Sequence, residues 1–230
     1  MSQLSLNLVA IAIFTVTMTS LLGPLVHLSP AVPALVTAAA LGLATIDNLS
    51  WQGQGSALLL DWIARFSPEH RDRVIYHEAG HFLVAHHLGI PVMDYTLTAW
   101  DAFKKGYPGQ AGVRFDVSEL ERELEQGALS AQLIDRYCTI WMAGIAAESL
   151  TYESVEGGLD DRLKLQGVLA QLGLPEADRQ QKERLALLRA KTILQEQRPA
   201  YDGLVTALQQ SLPVAACISS IGYQPECSLS

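Results

Sequence analysis

The first 46 residues of this 230-residue chain contain no aspartate, glutamate, lysine or arginine. Residues 8–28 form an uncharged, mostly apolar stretch, and a helix needs about 20 such residues to cross a bilayer. Pro30 interrupts the pattern, because proline cannot continue a helical hydrogen-bond ladder. Residues 31–46 are again apolar but shorter. We therefore predict a membrane-anchoring transmembrane helix or helical hairpin over residues 1–47.

The charged residues are concentrated in the rest of the chain. Residues 1–64 carry only Asp47 and Asp61, so residues 65–230 hold all 16 lysines and arginines and 22 of the 24 acidic residues. A cleaved signal peptide would need a basic start, which is absent, and a buried core hairpin is the other alternative. Basic residues follow the apolar segment and none precede it, which predicts that the downstream domain lies on the cytoplasmic side or its equivalent.

Composition narrows the function classes. The net charge is −8 and no basic cluster occurs, so nucleic acid is not an expected partner. The patterning predicts a mainly α fold with a small β-hairpin or sheet, formed by residues 92–98 and 111–115. Further helices are expected over residues 133–150, 161–172, 176–197 and 199–212. The predicted organisation is an anchor (1–47), a linker or interfacial segment (48–66), a peptidase domain (67–212) and a tail (213–230).

A helix with clear boundaries begins near residue 67. Ser67, Pro68 and Glu69 suit an N-cap and a first turn, whereas Gly89 suits a C-terminal cap and Pro91 prevents extension. Inside it lies the sequence HEAGH, residues 77–81.

The spacing in HEAGH suits metal chemistry. His77 and His81 are four residues apart, so both imidazoles can reach one Zn²⁺ from the same helix face. Glu78 is offset by about 100° and can take a proton from an attacking water without ligating the metal. His86 and His87 do not join that face, and His70, two turns upstream, also suits an ordinary role. The alternative is two ordinary histidines beside a salt-bridged glutamate.

The extended sequence resembles a known family. HEAGHFLVAHHLG, from His77 onward, is similar to the zinc helix of the FtsH-type ATP-dependent membrane proteases. Four later segments resemble that family in the same order: PVMDYTLT (91–98), AGVRF (111–115), MAGIAAES (142–149) and GGLDDRL (157–163).

The resemblance implies a zincin-type helical peptidase domain with Asp161 as third zinc ligand. Asp160 is the rival, since a slip of one residue exchanges the two. Without the resemblance, both acids read as capping groups at the start of a helix. Glu148 is implied to support the zinc histidines, and its alternative is a salt bridge to Arg136 or another base.

One family feature is missing. The sequence has no GxxxxGK(S/T) phosphate-binding loop, so the AAA ATPase module of the family is absent. The chain therefore resembles stand-alone FtsH-like peptidase-domain proteins of photosynthetic lineages. ATP-driven unfolding would have to come from a partner ATPase.

These observations predict a membrane-anchored zinc metalloendopeptidase that cleaves unfolded or membrane polypeptides. Its zinc ligands would be His77, His81 and Asp161, and Glu78 would be the general base. Expected partners are a polypeptide substrate, a plasma or thylakoid-type membrane with the peptidase domain on the cytoplasmic or stromal side, and an FtsH-type ATPase or a second copy. The alternatives are a non-catalytic scaffold for FtsH-type proteases and a site-2-type intramembrane zinc protease.

Overall fold

The structure is a computed structural model that describes residues 3–29, 31–50, 68–107, 111–126 and 129–222. In chain order its elements are α1 (Gln3–Leu22), a 3₁₀ turn (Gly23–Val26), α2 (Ala31–Ser50), α3 (Pro68–His87), β1 (Val92–Thr96), α4 (Ala99–Lys104), β2 (Gly112–Phe115), α5 (Ser118–Glu125), α6 (Ala131–Trp141), α7 (Ala143–Thr151), α8 (Leu159–Gln171), α9 (Glu176–Glu196), α10 (Arg198–Gln209) and α11 (Val214–Gly222). The predicted mainly helical fold with a small sheet is confirmed.

The chain divides into two compact units. One comprises Met1–Pro68 and Thr98–Ala111, and the other comprises Glu69–Leu97 and Gly112–Ser230. The first unit contains α1, α2 and α4. Most of the predicted linker, residues 51–66, and the N-cap predicted at Ser67 lie outside the described residues.

The apolar N-terminal segment forms two helices separated near the predicted break at Pro30. Both α1 and α2 are 20 residues long. Among the described residues, no helix combines the length and the hydropathy that a bilayer crossing requires. The predicted transmembrane helix is therefore not confirmed.

The second unit is built around α3. All of residues 77–85 are buried, so neighbouring elements enclose this part of the helix, where Ala79 and Phe82 are fully buried. Gly80 allows a close approach to α7, because a Cβ there would lie 2.6 Å from the carbonyl oxygen of Ala143 and 2.7 Å from the Cβ of Ala147. After α3 the chain turns through Gly89, whose φ of +71° matches the predicted cap.

The sheet follows α3 directly. β1 and β2 pair antiparallel, with Tyr95 opposite Val113 and Thr96 opposite Gly112. The two strands were expected to form a simple hairpin, but α4 lies between them in the chain. Thr98 ends the strand region because its hydroxyl oxygen accepts a hydrogen bond from the Asp101 N–H and caps α4.

Two other predictions need correction. The helix expected over residues 133–150 is two helices, α6 and α7, which meet at Met142. The tail expected over residues 213–230 begins instead with α11, which packs on α10 and buries Cys217. Its sequence, VAACISSIG, contains no charged residue, so no charged face marks this last helix in the pattern. Residues 223–230 lie outside the described part of the chain.

Candidate metal centre

The structure brings His77, His81 and Asp161 together. The two histidines lie one turn apart on α3 and are 8% and 5% exposed. Their Nε2 atoms are 3.0 Å apart. Asp161, in the first turn of α8, places Oδ2 3.2 Å from Nε2 of His77 and 3.3 Å from Nε2 of His81. Three ligand atoms from two helices thus converge on one point.

The hydrogen bonds of the two Nδ1 atoms, which point away from Asp161, define the tautomer of each histidine. Nδ1 of His77 donates to Oε1 of Glu148 and Nδ1 of His81 donates to the carbonyl oxygen of Ile140, each at 2.7 Å. A carboxylate and a carbonyl can only accept, so each Nδ1 carries a hydrogen. In the neutral imidazoles both Nε2 atoms then present lone pairs. Together with Asp161, three acceptors face each other, which calls for a proton or a metal cation between them.

The spacing of these atoms fits zinc. A tetrahedral site with bonds of about 2.0–2.1 Å requires ligand atoms about 3.3 Å apart. The three observed separations lie between 3.0 and 3.3 Å. Two imidazoles and one carboxylate are also a ligand set that catalytic zinc uses, with a fourth position left open. His77, His81 and Asp161 could therefore hold Zn²⁺.

The electrostatics of the cluster also favour a cation. Burial by itself lowers the pKa of His77, but hydrogen bonds with Asp161 and Glu148 outweigh burial and raise that pKa to about 10. Burial opposes ionisation of Asp161, yet the neighbouring histidines hold its pKa well below the usual range. Burial also opposes ionisation of Glu148, but chiefly its hydrogen bond with His77 holds the pKa of Glu148 below its ordinary value. The site therefore stabilises positive charge at its centre.

Glu78 is buried beside this cluster. It is 6% exposed, and one of its carboxylate oxygens accepts a 3.0 Å hydrogen bond from the backbone N–H of Val113 in β2. Burial raises the pKa of Glu78, against the lowering effect of the two histidines when they are charged. A carboxylate with a raised pKa accepts protons more readily near neutral pH. The edge of β2 thus orients the residue that the sequence predicts as general base.

Three glycines make the close packing possible. A Cβ at Gly144 would lie 2.2 Å from Nε2 of His77, and one at Gly157 would lie 2.4 Å from Oε1 of Glu148. Gly158 has a φ of +83°, and a Cβ there would meet Ile145 at 2.2 Å. Contact thus requires glycine at position 157, and both contact and conformation require it at position 158.

Asp160 does not act as predicted. The sequence assigns it the N-cap of a helix that begins at Asp161, but α8 begins at Leu159 with Gly158 in the cap position. Asp160 is exposed, whereas Asp161 faces the histidines. The left-handed Gly158 starts the helix two residues earlier than the acidic pair suggests.

Other residues can now be placed. His86 and His87 are exposed at the end of α3, away from the metal face, as expected. Glu148, buried at 2% exposure, contacts His77 and also pairs with another base, Arg73, at 3.7 Å. The Arg136 guanidinium instead donates to the carbonyl oxygen of Leu88. Sequence reasoning missed Ile140, because its contribution is a main-chain carbonyl at the break between α6 and α7. Only the helix break at Met142 could have indicated this carbonyl, and no glycine or proline marks the break in the sequence.

Comparison with known proteins adds no identification. No family model, no curated protein and no solved structure matches this chain. The resemblance to FtsH-type peptidases accordingly stays a prediction from the quoted motifs.

Proposed function

We propose that this chain is a zinc metallopeptidase with an FtsH-like peptidase domain, which hydrolyses peptide bonds of unfolded polypeptides. The observation that carries the proposal is the convergence of three lone-pair donors at tetrahedral spacing, with a buried glutamate directly beside them. A structural ion pair with Asp161 would need only one histidine, whereas here two imidazoles and one carboxylate direct their ligand atoms at one point.

Each side chain has a role in the proposed reaction. His77, His81 and Asp161 would hold the metal, and bound Zn²⁺ would supply Lewis acidity toward the scissile carbonyl. Glu78 takes the proton of the attacking water and passes it to the leaving amine nitrogen. The Val113 N–H keeps the Glu78 carboxylate in one orientation during both transfers.

The substrate class follows from the strand beside the site. β2 pairs with β1 on one edge, and on its other edge the Val113 N–H reaches Glu78. An extended polypeptide aligned with that outer edge would pass the general base, as expected for backbone recognition by strand addition. This favours unfolded chains over folded proteins as substrates. Supply of unfolded chains by an FtsH-type ATPase remains a prediction.

Zinc content and hydrolysis of unfolded casein test the proposal together. We expect about one Zn²⁺ per chain and hydrolysis that Glu78→Gln abolishes while zinc is retained, because an amide cannot accept the proton. Glu153→Gln, at an exposed position, is the matched control and should change neither readout.

The outcomes separate the alternatives. Zinc without hydrolysis in the parent chain, even with an FtsH-type ATPase added, would favour the scaffold. Full zinc in a His77→Ala/His81→Ala double variant would end the proposal. Unchanged hydrolysis in Glu78→Gln would reassign the base.

A further inference from the structure

Arg73 lies one turn before His77 on α3 and is 9% exposed. Arginine is rarely buried unless its charge and its N–H groups are satisfied. Here Nη1 donates a 2.7 Å hydrogen bond to the carbonyl oxygen of Ser154. The guanidinium carbon lies 4.2 Å from the centre of the Tyr152 ring. Arg73 is thus held by the segment that follows α7.

The same guanidinium faces the carboxylate behind His77. Nη1 is 3.7 Å from Oε2 of Glu148, and Nη2 is 3.6 Å from Oε1 of Glu156 and 3.7 Å from Oε1 of Glu69. The side chain of Glu148 is only 3% exposed, and a buried carboxylate needs a counterion. In the described part of the chain, Arg73 provides this counterion.

Glu148 also binds the segment that Arg73 holds. The backbone N–H groups of Glu156 and Gly157 donate to its carboxylate at 2.9–3.3 Å. This loop, residues 152–157, therefore wraps around Glu148, and Arg73 closes its outer side. The loop leads through Gly158 into α8, where Asp161 lies.

We propose that Arg73 is a positioning residue for the metal centre: it fixes Glu148 and the loop 152–157, and through them the ring of His77 and the start of α8. The proposal rests on the proposed zinc site. A guanidinium suits the task because it is planar and can serve a carbonyl, three carboxylates and an aromatic ring at once. A lysine ammonium at the same place can serve fewer of them.

The test compares zinc affinity and the Co²⁺ absorption spectrum in full-length variants. Arg73→Met should weaken Zn²⁺ retention about fivefold in chelator competition, somewhat less than the tenfold or more known for groups that contact a ligand directly. It should also alter the ligand-field bands of the Co²⁺-loaded chain, since they report ligand geometry. Arg73→Lys should recover part of both losses, and it keeps the test open if the methionine variant does not fold.

Arg179→Met is the matched control. Arg179 also donates to a carbonyl, that of Leu174, and to Oε1 of Gln166, but it lies on α9 without contact to Glu148 or the loop 152–157 in the described structure. It should reduce thermal stability and leave zinc affinity and the Co²⁺ spectrum unchanged. Equal effects of Arg73→Met and Arg179→Met would reduce Arg73 to a general structural role.

Failure of this inference is distinct from failure of the proposed function. If Arg73→Met and Arg73→Lys bind Zn²⁺ like the parent with the same Co²⁺ spectrum, the inference on Arg73 is overturned and the metal site stands. If the parent chain itself binds no Zn²⁺ in the same titration, the zinc site and the inference fall together.

Discussion

His77 and His81 occupy equivalent positions on α3 but have different surroundings. The His77 ring donates to the carboxylate of Glu148 and lies against Gly144 and Gly157. The His81 ring donates to a neutral main-chain carbonyl, that of Ile140, within the core. A charged side chain, which substitution can change, therefore holds His77. A main-chain carbonyl, which substitution leaves in place, holds His81.

This difference separates two ways to build a metal ligand. A carboxylate partner makes an imidazole more basic and a stronger ligand, at the cost of needing its own counterion. A carbonyl partner orients the ring without adding charge. We therefore expect the affinity of the site to be tuned from the His77 side, and the following predictions challenge that expectation.

Gly144→Ala should have the largest effect. The new Cβ would lie 2.2 Å from Nε2 of His77, so the ring must leave its position. Chelator competition should show Zn²⁺ affinity reduced by more than about a hundredfold, beyond what loss of a supporting group causes. Gly167→Ala on α8 is the matched control, because nothing lies within 4 Å of a Cβ there. The control should gain up to about 1 kcal/mol of stability and keep its zinc.

Asp161→Ala should come next, because Asp161 contacts both histidines. Zinc retention should fall at least tenfold, ~1.4 kcal/mol. Asp160→Ala should leave zinc affinity intact and cost only about 0.5 kcal/mol, as expected for an exposed acid in a first helical turn. The same chelator titration of both variants decides the matter. Zinc loss from Asp160→Ala alone would exchange the two roles, and no loss from either would remove α8 from the site.

Glu148→Gln tests the His77 side directly. Both oxygens of Glu148 accept hydrogen bonds, from the His77 ring and from the Glu156 and Gly157 backbones, whereas glutamine has one acceptor oxygen. Zn²⁺ affinity should fall about tenfold by competition titration. Exposed Glu153→Gln should have no effect. Parental affinity in Glu148→Gln would mean that the two histidines are supported equally.

The metal-free chain should lose stability gradually as the pH rises. The pKa of His77, about 10, lies above its ordinary value of 6.5, so the folded state binds a proton more tightly than the unfolded state. The resulting stability is fully present below pH 6.5 and is lost as pH rises through 10. Urea unfolding at pH 7, 8 and 9 should show this loss, at most about 1.4 kcal/mol per pH unit, relative to His77→Ala. Equal slopes in both chains would contradict the charged cluster.

Much of the site geometry follows from local sequence. The four-residue spacing of His77 and His81 needs only a helix, and the boundaries of α9 agree with prediction to within one residue because its charged and apolar positions are regular. The contribution of Ile140 depends on a helix break without a local signal. The contacts of Arg73 form only when the loop 152–157 folds back over α3, so the sequence around Arg73 does not reveal its role. Tertiary contacts, which single-sequence patterns do not encode, supply both.

The separation of the proposed ligands along the chain has a consequence for stability. His77 and Asp161 are 84 positions apart, so a metal ion between them would close a long loop and act as a reversible cross-link. Such a link restricts the unfolded chain as a disulfide does, but it opens when zinc is withdrawn. With excess metal, each tenfold rise in free Zn²⁺ would add ~1.4 kcal/mol to the free energy of unfolding. The persistence of the folded domain would then follow the zinc supply of its surroundings.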